Sequence, residues 1–231
     1  GTTGNKLMSM RILPNVGFLS NVSSDLRTML SEQATELTLA PGEVLFEQGD
    51  AGDTLLAIMS GVVEFSVLAM DGRKLTLDIM RAGALFGEIS LFDPGVRTAT
   101  AIAVEETVLC RVRHADVLEQ IRLRPDLAVD MIHLAGQRMR WMGRQLNEQV
   151  FLPLPTRLAR KIQHLAPEID KTPIKLKMSQ AELAEFVGAT REAVSKTLAR
   201  WKKNGVIALE RGGLKVMNRS DLRIVADFDA D

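Results

Sequence analysis

Between Leu37 and Val112 short apolar-rich stretches are cut repeatedly by glycine, proline and aspartate. LTLA, VLF, TLLAIM, VVEFSVL, KLTLDIM, TATAIAV and TVLCRV are the stretches, and PGE, EQGDAGD, SGV, MDGR, RAG and VEET divide them. Several alternate polar and apolar residues, most plainly Lys74-Leu75-Thr76-Leu77-Asp78-Ile79. Alternation with period two predicts strands with one buried face. Strands this short, at such regular spacing, predict a small antiparallel roll, a double-stranded β-helix.

After His114 the period lengthens. Following Pro125, Ala128, Met131, Ala135, Met139, Met142 and Leu146 recur at three- or four-residue spacing, which predicts one long helix of about 25 residues. A small roll is too short to cover such a seam, so it is expected to pair with its own copy in a homodimer. Packing on the roll alone is the competing reading. Three of the six seam positions are methionine, a side chain that adapts to irregular partners. Asn147 to Pro155, with two prolines, predicts a hinge. Beyond it come an amphipathic helix over Thr156 to Leu165, a strand PIKLKM and a hairpin VIALE-RGG-LKVM. Ser220-Asp221 is expected to cap a last short helix. The fold class is therefore α+β, with a roll over 12–124, a dimerisation helix and hinge over 125–150, and a second domain over 151–231.

Ser179 to Lys196, SQAELAEFVGATREAVSK, predicts two short helices meeting at a glycine. Ser179 with Glu182 three residues on forms a capping box. Gly188 supplies the positive φ of a sharp turn. Thr190 caps the second helix, in which Val194 and Leu198 face inward at i, i+4 spacing. Arg191, Glu192, Ser195 and Lys196 are left on the outer face. A tight turn between two such helices, with a polar face outside, describes a helix-turn-helix that reads DNA, and the RGG hairpin is its wing. An αα-hairpin with a solvated face is the plainer alternative. Trp201 is expected in the domain core.

Charge sharpens this picture. The chain of 231 residues has zero formal net charge, but residues 1–150 carry 14 Lys/Arg against 19 Asp/Glu, and residues 151–231 carry 15 against 10. The half with the two short helices is the basic half, as an electrostatic footprint on phosphates requires. Three of its ten acids, Asp227, Asp229 and Asp231, lie in the terminal tail. A single cysteine, Cys110, permits no internal disulfide and no multi-cysteine metal or cluster site. It is expected as a small buried apolar side chain. No run reaches the roughly 18–20 apolar residues of a membrane helix, and no signal peptide is seen. A cytoplasmic location without membrane association is expected, and the opening GTTGN is expected to be partly a cloning remnant.

Candidate chemistry concentrates in Phe86 to Ala101, FGEISLFDPGVRTATA. Gly87 lets backbone approach a ligand closely, and a short helix starting there offers N–H groups to an anion. Glu88 can accept a sugar hydroxyl or, alternatively, cap that helix. Asp93-Pro94-Gly95 is a tight turn that places Arg97 and Thr98 opposite the helix start. Arg97 brings a fork of donors suited to phosphate, its alternative being a surface ion pair. A glycine, a carboxylate and an arginine converging on one point suggest a phosphorylated sugar. No nucleophile–base pair or metal set points to an enzyme.

Gly87-Glu88-Ile89-Ser90-Leu91 with Arg97-Thr98-Ala99 resembles the phosphate-binding cassette of cyclic-nucleotide-binding domains. PGEVLFEQGDAGD and LLAIMSGVVEF resemble the opening strands of the same domain. With REAVSK in the second half, the order resembles the cAMP receptor protein and fumarate–nitrate regulator (CRP/FNR) family of bacterial transcription factors, from about Phe18 to Ile224. The resemblance implies a cyclic nucleotide, cAMP or cGMP, as effector. Gly87, Ile89 and the Ser90 region, with Arg97 and Thr98, would surround its phosphate, and Glu88 would take the ribose 2′-hydroxyl. It implies that Arg191, Glu192 and Lys196 meet base edges, with Ser195 near a base or phosphate; Gln180 and Thr190, at the two helix starts, complete the expected DNA-facing set. It also implies a homodimer on a pseudo-palindromic double-stranded operator, with RNA polymerase as a partner. The chain departs from cAMP-responsive relatives at Met142 and Gly143, where a polar pair would meet adenine. A nucleotide-independent sensor, or one with a different effector, is the rival reading; a non-DNA regulatory module of an enzyme is the third. An iron–sulfur sensor would need several cysteines near the N-terminus. A haem sensor would have only His114 and His133 as nearby ligands.

Overall fold

The computed structural model describes residue 13, residues 17–166 and residues 173–227; the opening GTTGN and the tail acids Asp229 and Asp231 lie outside the described residues. Contacts divide the chain into two compact units, residues 1–67 with 80–138 and residues 68–79 with 139–231.

The first unit begins with a 3-10 turn over Gly17–Asn21 and helix α1, Ser24–Gln33. Ser23 caps α1 by accepting from the Leu26 amide, and Leu26, Met29 and Leu30 are its buried face. Strands β1 (Thr35–Leu39), β2 (Val44–Phe46), β3 (Thr54–Ser60), β4 (Val62–Leu68) and β5 (Lys74–Arg81) follow, then β6 (Leu85–Phe86), the one-turn α2 (Ile89–Phe92), β7 (Thr100–Ala103) and β8 (Thr107–Arg113). They form two four-stranded sheets, in the orders β1-β8-β3-β6 and β2-β7-β4-β5. The resolved pairings are antiparallel, as the roll requires. Phe46, Phe65 and Phe86 meet in the core, Phe65 and Phe86 edge to face at 5.0 Å between centroids. Cys110 is buried on β8 opposite Ala57.

The cleanest alternation in the sequence behaves differently from expectation. Leu77, meant for the buried face of Lys74–Ile79, is 52% exposed. β5 closes one edge of its sheet, and none of its residues on either face is fully buried.

Helix α3 (His114–Leu123) leads to α4 (Asp126–Phe151), the 26-residue helix predicted from the seam. The seam itself divides. Of its six positions Met131 is buried in the first unit's core, alongside Leu127 and Leu134, which the spacing did not name, and Ala128 and Ala135 are half-buried, while Met139 and Leu146 are 62% and 65% exposed.

The second unit contains α5 (Leu154–Leu165), β9 (Ile174–Leu176), α6 (Gln180–Val187), α7 (Arg191–Lys203), β10 (Ile207–Glu210), β11 (Gly213–Val216) and α8 (Arg219–Ala226). Pro155 sits in the first turn of α5, where a missing N–H does no harm. Leu158, Ala159, Ile162 and Leu165 pack with Val194, Leu198 and Trp201 around the β10-β11-β9 sheet. Three contacts cross the segment expected as a hinge: Glu148 pairs with Arg160 at 2.6 Å, Arg157 donates to the Gln149 carbonyl at 2.8 Å, and Gln149 Nε2 donates to the Val187 carbonyl at 3.3 Å. The cap of α8 is Asn218, whose side chain accepts from the Asp221 amide, and not Ser220-Asp221. The helix starts earlier than expected, at Arg219, so the residue before it takes the capping place.

Candidate functional site

The cassette is built where β6 ends against the start of β3. Gly87 has φ +87°, and a Cβ there would lie 2.5 Å from the Thr54 carbonyl oxygen and 2.9 Å from Arg97 Nη1. Only glycine fits both the backbone conformation and the space. Arg97 comes to this point from the loop before β7. It is 7% exposed; its Nη2 donates to the Thr54 carbonyl at 2.8 Å and to Thr54 Oγ1 at 2.9 Å. Its guanidinium stacks over the Phe46 ring at 4.6 Å. No carboxylate among the described residues pairs with it. Burial pushes its guanidinium below the ordinary value, with the charge of Asp53 acting the other way.

Glu88 is also buried, and it is the N-cap residue of α2 without making a side-chain cap. Its carboxylate pairs instead with Arg138 of α4. Arg138 donates further to the Leu85 carbonyl and stacks over Phe18 at 4.1 Å. Gly87, Glu88 and Arg97 are thus brought together. The other cassette residues are arranged differently. Ser90 Oγ packs against Gly52, where a Cβ would meet it at 2.7 Å. Ile89 and Thr98 are exposed. His114, the first residue of α3, is buried and has Nε2 3.0 Å from the Gly87 carbonyl oxygen, whereas His133 is exposed.

Arg138, Thr54, Phe46 and His114 are the neighbours that sequence reasoning missed. Arg138 lies between seam positions and carries no periodic signal. His114, as a sequence position, is a haem-ligand candidate or, as a lone histidine more often is, a structural residue.

In the second unit Ser179 and Glu182 make the capping box with both reciprocal bonds. Gly188 has φ +71°, and a Cβ there would collide with the Gln149 side chain at 2.5 Å. Thr190 Oγ1 accepts from the Ala193 amide, so its hydroxyl is engaged as a cap. Val194, Thr197, Leu198 and Trp201 are the buried face of α7. Arg191, Glu192 and Lys196 are exposed on its other side. Ser195 Oγ donates to Gln180 Oε1, which fastens the two helices to each other. The β10–β11 hairpin turns at Arg211-Gly212, Gly212 having φ +76°, and Gly213 leaves no room for a side chain beside the Leu176 carbonyl. Among the described residues no cluster of three or more His, Cys, Asp or Glu could hold a metal ion, and no helix is long and apolar enough to cross a membrane.

Two family models match the chain: the cyclic nucleotide-binding domain over residues 36–123 and the Crp-like helix-turn-helix domain over residues 156–224. A CRP-like cAMP-activated global transcriptional regulator of Mycobacterium tuberculosis is 31% identical over 204 residues, covering 86% of this chain and 91% of its own length. The cyclic AMP receptor protein of Thermus thermophilus is 33% identical over 185 residues, covering 80% and 85%. A CRP/FNR family transcriptional regulator solved from Thermus thermophilus superposes with a TM-score of 0.65 at 23% identity, covering 84% of this chain and 99% of that one.

Proposed function

Because this chain belongs to the CRP/FNR family of transcription regulators, we propose that it is a homodimer that binds a pseudo-palindromic operator under control of a cyclic nucleotide, cAMP or cGMP. The observation that carries the effector reading is Arg97: a buried guanidinium with no carboxylate partner among the described residues, beside a positive-φ glycine that leaves backbone bare next to it. A desolvated cation with no carboxylate hydrogen-bonded to it gains most from an incoming anion. The cyclic phosphate would meet Gly87, Arg97 and the Ile89–Ser90 and Thr98 backbone, while Glu88 takes the ribose hydroxyl. The names of the Mycobacterium tuberculosis and Thermus thermophilus relatives favour cAMP.

In the second unit α7 is the reading helix. Arg191, Glu192 and Lys196 face the base edges, and Glu192 accepts from a cytosine amino group, since a carboxylate is otherwise repelled by phosphate. Gln180 and Thr190, at the two helix starts, approach the backbone, and Ser195 lies near a base or phosphate. The uncovered second half of the α4 seam, Met139, Met142 and Leu146, is the dimer contact. Two reading helices then lie about one DNA turn apart, roughly 34 Å. The regulator works on RNA polymerase in the cytoplasm.

A second reading keeps the DNA binding but makes the sensor nucleotide-independent or tuned to another effector. Met142 and Gly143 favour it, since neither side chain can hydrogen-bond a base and Gly143 stands in open space. Calorimetry with cAMP and with cGMP separates the two readings: heat from either supports the first, and none from both at high protein concentration supports the second. Selection from random duplexes tests the DNA reading, and Glu192→Ala is expected to relax preference at one base position by about 1–3 kcal/mol. No retention of duplex at low salt would leave only an enzyme-regulating module.

A further inference from the structure

His114 has no part in the reading above, yet its ring touches the residue on which that reading turns. Its backbone amide is bonded to the Asp53 carbonyl at 2.8 Å, which fixes the start of α3 beside the start of β3. From there the ring reaches the Gly87 carbonyl at 3.0 Å and is 8% exposed. A carbonyl only accepts, so Nε2 must carry the proton, which sets the tautomer of the neutral ring. The same Gly87 lies against Thr54 and Arg97 on its other side. The ring therefore holds one end of the peptide whose positive-φ glycine admits the ligand.

We propose that His114 is a positioning residue of the effector site, holding the Gly87–Glu88 peptide in place and, by taking up a second proton, coupling anion binding in the cassette to pH. This rests on the cassette being an anion site. The charged groups facing the ring are Arg97 from the cassette loop and Asp53 ahead of β3. On its own segment Arg113 and Asp116 pair with each other at 2.9 Å, and Glu88, beside Gly87, is held by Arg138. Burial and the Arg97 charge both disfavour imidazolium, while the Gly87 and Thr54 carbonyls and Asp53 favour it. An anion placed on Arg97 cancels the repulsive contribution. Ligand and proton then assist each other, and by linkage each raises the affinity for the other. Anion affinity rises as pH falls through the histidine range.

The test uses the full chain labelled with carbonyl-13C glycine and amide-15N glutamate. Gly-Glu occurs only at Gly42-Glu43 and Gly87-Glu88, so two peptide groups report and the first is an internal control. The probes are sulfate and cAMP, neither of which changes charge between about pH 5 and 8, where histidine titrates. The Gly87 carbonyl signal is expected to move with pH in the wild type, with a midpoint that rises when sulfate or cAMP is added, and to stand still in His114→Gln. Affinity for the probes is expected to rise about fivefold across the window, at the low end of measured couplings, and to lose that dependence in His114→Gln. A Gly87 carbonyl indifferent to pH in the wild type overturns the assignment whatever cAMP does, and that arm needs no variant. Wild-type pH dependence retained by a folded His114→Gln overturns it as well. A carbonyl that titrates and responds to sulfate, with no cAMP bound, upholds His114 and removes the nucleotide reading instead.

Discussion

Arg138 closes over Glu88: its Nε lies 2.6 Å from the carboxylate, with the two side chains 13% and 5% exposed. The long helix therefore supplies a partner to the very group expected to receive the sugar. Removing one member of a buried pair strands the other without solvent. Arg138→Met is expected to lower the unfolding free energy by about 3 kcal/mol, and Glu88→Gln added to it to recover much of that loss. Urea melts of the two single variants and the double variant check the coupling. A loss in Arg138→Met that Glu88→Gln leaves untouched would mean the pair carries little of it.

Arg97 poses the opposite case, a buried cation held by Thr54 and an aromatic ring. Sulfate, and any nucleotide that binds, is expected to raise the melting temperature of the wild type, because a ligand bound only to the folded state stabilises it. Arg97→Ala should abolish the sulfate effect and weaken nucleotide binding by about 1.5–3 kcal/mol, the range for hydrogen bonds to a charged group. Thermal-shift titrations read both. An unchanged affinity would remove Arg97 from the site.

His114 gives the ligand-free protein a pH signature of its own. Burial holds the ring below its ordinary value, so the unfolded chain takes up the proton first. Stability contributed by the neutral ring is present above the unfolded value and declines as pH drops below about 6.5. Melting temperatures at pH 8 and pH 5.5 should differ more in the wild type than in His114→Gln.

Leu146, at 65% exposure, stands on the uncovered part of the α4 seam. If the proposed α4 contact holds the dimer, Leu146→Glu is expected to shift the protein to monomer in sedimentation velocity, since it would set a carboxylate against its own copy in an apolar seam. DNA affinity should fall with it, while sulfate binding in the cassette should persist.

What the sequence made legible was what lies close along the chain. The capping box of Ser179 and Glu182, the turn at Gly188 and the inward pair Val194 and Leu198 are all settled within a few residues, and each stands where the spacing predicted. The roll followed from turn residues at regular intervals. Helix α1 goes unforeseen although its signal is present, a serine cap ahead of Leu26, Met29 and Leu30. The partners in the cassette have no such signal. Glu88 and Arg138 are fifty positions apart, Arg97 and Thr54 forty-three, and nothing local tells which arginine reaches which carboxylate or carbonyl. Leu77 shows the converse: alternation says which side chains share a face, and only the packing of other elements says whether anything covers it.

Gln149 reaches from the last turns of α4 to the Val187 carbonyl and fills the space beside Gly188. The end of the long helix is thus keyed into the elbow of the helix pair, like a shaft into a coupling. Because Gln149 and the α6–α7 elbow belong to the same compact unit, the closing turns of α4 travel with that elbow as one piece.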